Sequence, residues 1–342
     1  MQRHHRGEIW IVVGILLVAS FFRFYQLDPS SLSAIFGILT VLGIYLLARE
    51  LFDWRVGAVA SFLLAISFWH VSFSRVEARE IMLPLVLVYA FYFLWRGLRR
   101  SHWWDFFWAG IFGGLGFYID TTYYIAPLIV ILVFINYWLF LKKDYHHENY
   151  EHVRNRFLGG FSLFMITAFF VALPFVVYFL KNPSNLIDWA TRLVFTPTQS
   201  FQIFQNLGWP ITILFTIGFL KELYHWLRRK RGHLSPVHTL MFVWFFVMLL
   251  PSFFSIETSF AWRAIGVLPV VIIFAARGFL GLFNTLEEWE LVTHPWESRE
   301  HNKFVVPILA AVILLGAIGF FEYSRYFNAR PLNQVTAPTI YP

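Results

Sequence analysis

The sequence predicts an all-α, polytopic integral membrane protein with about eleven transmembrane helices. Three observations lead there. Of the 342 residues, 58% are hydrophobic and only 14% are charged, and long apolar runs recur from end to end. Trp and Tyr gather near the ends of those runs (Trp10, Tyr25, Trp54, Trp95, Trp103, Tyr178), where aromatic side chains anchor helices at the lipid headgroups. No stretch alternates apolar with polar residues over enough length to build a soluble domain. The absence of cysteine excludes disulfides and thiolate metal sites. The net charge of +7 comes from basic residues flanking apolar segments, so it marks topology and not a nucleic-acid surface.

The spans follow in order. The first, near 9–27, comes after "MQRHHR" and runs past signal-peptide length into Phe21, Phe22 and Arg23 without a small-residue cleavage site, so it is expected to stay as an anchor. Spans near 33–48, 56–73 and 81–95 are separated by Arg49 and Arg55 on one side and by a short charged stretch on the other. Those near 103–119, 123–141 and 157–180 alternate with the basic groups Arg96, Arg99, Arg100 and Lys142, Lys143, Arg154, Arg156. The last four lie near 203–220, 237–254, 262–283 and 304–321. With the N-terminus cytoplasmic, 19 of the 27 Lys and Arg residues fall in inner loops, which sets the orientation. One membrane domain over residues 1–330 is expected, with 331–342 a short outer tail and no separate soluble domain.

The two polar inner loops, "KKDYHHENYEHVRNR" and "LEEWELVTHPWESREHNK", read as solvated linkers. His146, His147 and His152 lack the i, i+4 spacing with a supporting carboxylate that a zinc helix needs, so no metal ligand is assigned. Pro127, Pro174, Gly113, Gly114 and Gly116 within spans are accounted for by kinks or close packing. The remaining cations (Arg23, Arg75, Arg79, Lys181, Arg192, Arg263, Arg325, Arg330) and seven acids (Asp28, Glu77, Glu80, Asp120, Asp188, Glu257, Glu322) are then outside or embedded. Because charge near a membrane core is costly, the outer helix ends are where chemistry is expected.

Four charges crowd into "FSRVEARE": Arg75, Glu77, Arg79 and Glu80. Continued as a helix, Arg79 would lie about 40° from Arg75, with Glu80 at about 140° and Glu77 at about 200°. Arginines on one face and glutamates on another suit a reaction in which an anionic leaving group is held while a carboxylate takes a hydroxyl proton. The same charges also fit an exposed outer loop that only marks the membrane boundary.

Several segments together resemble a known family: "SAIFGILTVLGIYLLARELF", "FSRVEAREIMLPL", "GLGFYIDTTYYIAPL", "LPFVVYFLKNPSNLIDWATR" and "LPSFFSIETSFAWRAIGVLPVV". Their order over residues 10 to 330 resembles the bacterial protein-mannosyltransferase-like branch (glycosyltransferase family 39) of the GT-C glycosyltransferases. The resemblance implies a GT-C-like membrane enzyme of the cell inner membrane, active on its outer side. It would transfer a sugar from a polyprenyl-phosphate donor to a protein, lipid or glycan hydroxyl. Ser74-Arg75 followed by Glu80 matches the family's Ser-Arg with an acid five residues after the Arg, where the family usually has Asp. The resemblance thus makes Glu80 the catalytic acid candidate, with Arg75, Glu77 and Arg79 around the substrate. Tyr118, Asp120 and Tyr123 fall where the family lines its cavity, although interfacial anchoring also accounts for the tyrosines. Arg263 matches a family arginine and is a second partner for the donor phosphate. No cofactor is assigned: the resemblance leaves either arginines or a divalent cation (Mg2+ or Mn2+) to meet the leaving phosphate, and no Walker-type glycine loop is present.

The sequence departs from that family at one place. Relatives follow the first span with a long outer loop bearing an Asp-Glu pair, whereas here "FFRFYQLDPSSLSAIFG" passes to the second span through little more than "DPSS". Asp28 is the acid left there and a second catalytic candidate, although Asp-Pro is also ordinary turn chemistry. Loss of catalysis with retained binding of a lipid carrier or membrane partner, or a gene with a deleted loop, therefore stands as an alternative. A transporter is disfavoured, because the charges sit toward helix ends and no matched halves are visible.

Overall fold

A computed structural model describes residues 2–25, 32–75, 81–144, 147–182, 206–228, 235–253, 264–293 and 305–328. Every regular element among them is helical. In chain order these are α1 (Gln2–Phe24), α2 (Leu32–Leu51), α3 (Trp54–Ile66), α4 (Phe68–Arg75), α5 (Met82–Arg100) and α6 (Trp103–Leu115). They continue with α7 (Ala126–Asp144), α8 (His147–Lys181), α9 (Trp209–Leu227), α10 (Pro236–Phe253), α11 (Leu268–Thr293) and α12 (Val305–Tyr323). Short 3₁₀ turns at Gly116–Tyr118, Thr121–Ile125 and Ala264–Val267, and a π-helical turn at Ser324–Asn328, complete the described elements.

Seven described helices are long and apolar enough to cross a membrane, or eight if α3 and α4 form one span. The expected count of eleven is not reached by that measure. Helix α6 has only 13 residues, α10 is cut short as an apolar run at Pro251, and α9 carries Lys221 and Glu222.

The expected continuous third span is broken instead, and this corrects the sequence reading. Helices α3 and α4 meet at Ser67 with a 57° bend, and neither Pro nor Gly stands at the break. Ser67 has ψ near 120°, outside the helical range, so its amide closes the last turn of α3 on Leu63 while its carbonyl accepts from Val71 in α4. A break of this kind frees backbone groups that must find partners elsewhere.

Helices α5 and α11 are the most enclosed. From Leu268 to Ala276 almost every side chain of α11 is buried, which is the pattern of a helix apolar all round and packed on every side, here by α3, α9 and α10. Helices α1, α8 and α12 lie at the periphery, with apolar residues such as Leu180, Ile313 and Phe320 pointing outward. In water such a surface would be a liability, whereas hydrocarbon accepts it.

One end of the bundle gathers the start of α1, the ends of α2, α5 and α9, and the starts of α6 and α10. Glu8 meets Arg49 at 2.8 Å, Glu50 meets Arg100 at 2.9 Å, and the buried Asp105 takes Arg96 Nε at 2.8 Å. Glu222 is held by Arg277 at 2.7 Å and His238 at 2.8 Å. Most of these cations are the ones the sequence placed in inner loops, so the alternation of helices agrees with the charge pattern. Asp53 begins α3 there, accepting from the Arg55 and Val56 amides at 2.8 and 3.0 Å. Removing this cap in Asp53→Ala is expected to lower stability by about 1 kcal/mol, read as a fall in the midpoint of thermal unfolding in detergent, while Asp53→Asn should lose less.

Candidate functional site

The opposite end carries a charged cluster made by α1, α4 and α12. The last turn of α1 presents Arg23, which is fully buried. Its Nη1 donates to the Ala19 carbonyl at 2.9 Å and across to the Ala65 carbonyl at 3.1 Å, and its Nη2 lies 2.6 Å from His70 Nδ1. From α12, the buried Glu322 accepts the Phe68 amide at 2.9 Å through Oε2. Arg325, one turn on, lies 3.7 Å from the same carboxylate oxygen, stacks over the Phe68 ring at 4.3 Å and donates to the Asn206 carbonyl at 3.2 Å.

Arg75 closes α4 at this end. Its guanidinium donates to the Phe22 carbonyl at 3.2 Å and lies over the rings of Tyr326 and Phe327 at 5.2 and 5.5 Å. Ser74 beside it is buried, its hydroxyl turned back to the Val71 carbonyl at 2.9 Å. A guanidinium on two aromatic faces keeps its fork of donors oriented, as recognition of a phosphate requires. Glu77, Arg79 and Glu80 follow directly, and they, Asp28 and Arg263 all lie outside the described residues. The turn after Arg263 is firmly seated, since Trp244 Nε1 donates to the Gly266 carbonyl at 2.9 Å.

The remaining candidates sit on the turns between α6 and α7. Asp120 caps the second turn by accepting from the Thr122 amide at 2.6 Å. Tyr118 is half-exposed and donates to the Val171 carbonyl at 2.8 Å. Both line an open pocket of about 500 Å³ with Thr121, Tyr124, Phe175 and Tyr178. Tyr123 is buried, and its hydroxyl donates to the Gly113 carbonyl at 2.6 Å. It belongs to a second, apolar cavity of about 250 Å³ between α5, α6, α7 and α8, walled by Phe91, Phe164 and Met165 among others. Phe117 borders both spaces. Arg75 therefore reaches α1 and α12, while Tyr118, Asp120 and Tyr123 form a separate group on α6 to α8.

The sequence named Arg23, Glu322 and Arg325 only as charges outside the membrane or embedded in it, and did not single out His70. Their joint role had no signal in any one segment, since Arg23 and Glu322 stand about three hundred positions apart in the chain. Among the described residues no three of His, Asp and Glu come together as a metal site would need.

Residues 10–171, just under half of the chain, match the family described as dolichyl-phosphate-mannose-protein mannosyltransferases. No curated protein sequence matches the chain. Among solved structures, the archaeal oligosaccharyltransferase AglB from Archaeoglobus fulgidus, in complex with an inhibitory peptide and a dolichol-phosphate, superposes with a TM-score of 0.57 at 16% identity. That match covers 90% of this chain and 45% of AglB. ArnT from Cupriavidus metallidurans bound to undecaprenyl phosphate gives a TM-score of 0.54 at 12% identity, covering 93% of this chain and 64% of ArnT. This chain thus spans about half the length of AglB and less than two thirds of ArnT. At such identities the likeness establishes the fold. The chain carries the GT-C membrane fold, and its sequence resembles the protein-mannosyltransferase-like branch of that fold over residues 10–171.

Proposed function

We propose that the chain is a membrane glycosyltransferase that moves a sugar from a polyprenyl-phosphate donor to an acceptor hydroxyl at the end of the bundle carrying Arg75. That end faces outward if the N-terminus is cytoplasmic, as the charge bias favours. The observation that carries the reading is Arg75, held by α1 and α12 next to the segment with Glu80, in a fold it shares with structures that hold dolichol-phosphate and undecaprenyl phosphate.

In this reading Glu80, assigned by resemblance, takes the proton from the acceptor hydroxyl as its oxygen attacks the anomeric carbon with inversion. The bond from that carbon to the phosphate oxygen breaks, and the polyprenyl phosphate leaves with the bonding electrons. Arg75, with Arg79 and Arg263, meets the charge that develops on it. Asp28 is the second candidate for the base. A divalent cation could share the phosphate charge, but the described side chains offer no ligand set for one.

The test is sugar transfer in membranes with labelled polyprenyl-phosphate sugars. Glu80→Gln is expected to lower the rate by roughly 100- to 10,000-fold. Asp28→Asn distinguishes the two acids, since the base is the one whose amide is inactive. Transfer undiminished in both variants would remove the assignment. A second reading is favoured by the short "DPSS" link after the first span: a protein that binds the lipid carrier or a membrane partner without transfer. Folded protein that binds polyprenyl phosphate but transfers from no donor would establish it.

A further inference from the structure

The break at Ser67 puts the Ala65 carbonyl in the last turn of α3 and the Phe68 amide in the first turn of α4, where a helix leaves backbone groups to be met from outside it. Each is met by a charged side chain from a different, distant helix: Ala65 by the Arg23 guanidinium of α1, Phe68 by the Glu322 carboxylate of α12. The polarities match the groups, a donor on the carbonyl and an acceptor on the amide. We infer that Arg23 and Glu322 are positioning residues that brace the broken third span, fixing the direction in which α4 delivers Arg75 and the segment after it.

Four further observations converge on this. Both side chains are fully buried, a costly placement for groups that meet only part of their hydrogen-bonding capacity from within the described residues, since Arg23 Nε and Glu322 Oε1 have no partner there. Arg23 also grips α4 itself through His70, so it ties the two sides of the bend together. The helix α2 yields space for it at Gly37, where an added Cβ would stand 2.7 Å from Arg23 Nε. Beyond Glu322, the backbone widens into the π-helical turn Ser324–Asn328. There Arg325 reaches Phe68, and Tyr326 and Phe327 reach Arg75. A widened turn of this type re-aims side chains at the cost of regular pairing. The two ends of α4 are thus held by the same two helices. In a span with no Pro or Gly at its break, this hydrogen bonding is what keeps the bend from relaxing to a straight helix.

The inference gives the proposed transferase its positioning residues, yet its test needs no sugar transfer. The chain has no cysteine of its own, so spin labels can be placed on Arg55→Cys and Ser72→Cys, one on either side of the bend, in full-length protein in nanodiscs. At a rise of 1.5 Å per residue, straightening the span lengthens the label separation by roughly 2–3 Å, and loss of the brace broadens its distribution. Glu322→Leu and Arg23→Met are expected to show that change. Glu322→Gln, whose amide oxygen can still accept from Phe68, should keep the native distance. Glu322→Asp retains the charge but is a methylene too short to reach, so it should shift as Leu does, and it keeps the test open should the apolar variants fail to fold. An unchanged distance in Glu322→Asp and Glu322→Leu would overturn the inference, and so would a Gln variant that shifts as far as Leu. Transfer activity lost through Glu80 with the distance intact would separate failure of the chemistry from failure of the brace.

Discussion

Gly278→Leu is expected to force α9 and α11 apart and to cost a large part of the protein's stability. Gly218 on α9 and Gly278 on α11 face each other so closely that backbone touches backbone. A Cβ added at Gly218 would overlap the Phe274 carbonyl and stand 2.7 Å from the Gly278 nitrogen, and one added at Gly278 would overlap the Leu214 carbonyl. A carbonyl of a central helix cannot rotate aside as a side chain can. Because lipid tails are as apolar as leucine, two membrane helices gain little from hydrophobic contact alone and depend on such close approach. Overpacking a core costs about 1–3 kcal/mol when side chains can adjust, so a loss of about 3 kcal/mol or more is expected where they cannot. Even Gly278→Ala should be felt. Gly316 on α12 has nothing within 4 Å of an added Cβ and serves as the control. Thermal unfolding in detergent, followed by the fraction of protein that stays monodisperse, reads the difference. Equal survival of Gly278→Leu and Gly316→Leu would show that the two helices can separate without penalty.

Glu222→Ala is expected to cost about 3–5 kcal/mol, the range found when one partner of a buried ion pair is removed and the other is left uncompensated. The carboxylate is buried, takes Arg277 through one oxygen and His238 through the other, and lies where α9, α10 and α11 meet. Without it, Arg277 keeps its stacking on Phe52 at 4.5 Å but loses its counter-charge. The same reasoning predicts the opposite sign for a joint replacement. With Glu222→Leu, Arg277→Met and His238→Leu combined, no charge is left unpaired, and stability should return close to that of the unmodified protein. A double-mutant cycle over Glu222 and Arg277, read by the same unfolding assay, separates the pair's coupling from the cost of each deletion. A coupling near zero would mean that water already reaches the site and screens the pair.

Much of the fold was legible in the sequence because it depends on composition. Apolar runs of bilayer length, aromatic ends and basic loops declare membrane helices without reference to any partner segment, and the placement of Arg49, Arg96 and Arg100 among ion pairs at one end of the bundle agrees with that reading. The resemblance carried by "FSRVEAREIMLPL" and its companion segments agrees with the match to a family model over residues 10–171 and with a fold shared with AglB over nine-tenths of the chain. Of the candidate site, the sequence named Arg75 and the turn with Tyr118, Asp120 and Tyr123 among the described residues, and Asp28, Glu77, Arg79, Glu80 and Arg263 outside them. It did not separate them into an α1–α4–α12 cluster and an α6–α8 pocket, since hydropathy says which segments cross the membrane and nothing about which of them touch.

The break at Ser67 shows where the division lies. "LLAISFWHVSF" contains no Pro, no Gly and no turn signal, so by itself it reads as one helix. What bends it is a guanidinium arriving from residue 23 and a carboxylate arriving from residue 322, each satisfying a backbone group that the local sequence leaves open. The sequence by itself determined that this is a helical membrane protein with its charges at the helix ends. Only the tertiary structure decided which of those charges meet the backbone, because in a medium without water a polar group's role is set by the partner it finds, and Arg23 and Glu322 reach theirs from helices far apart in the chain.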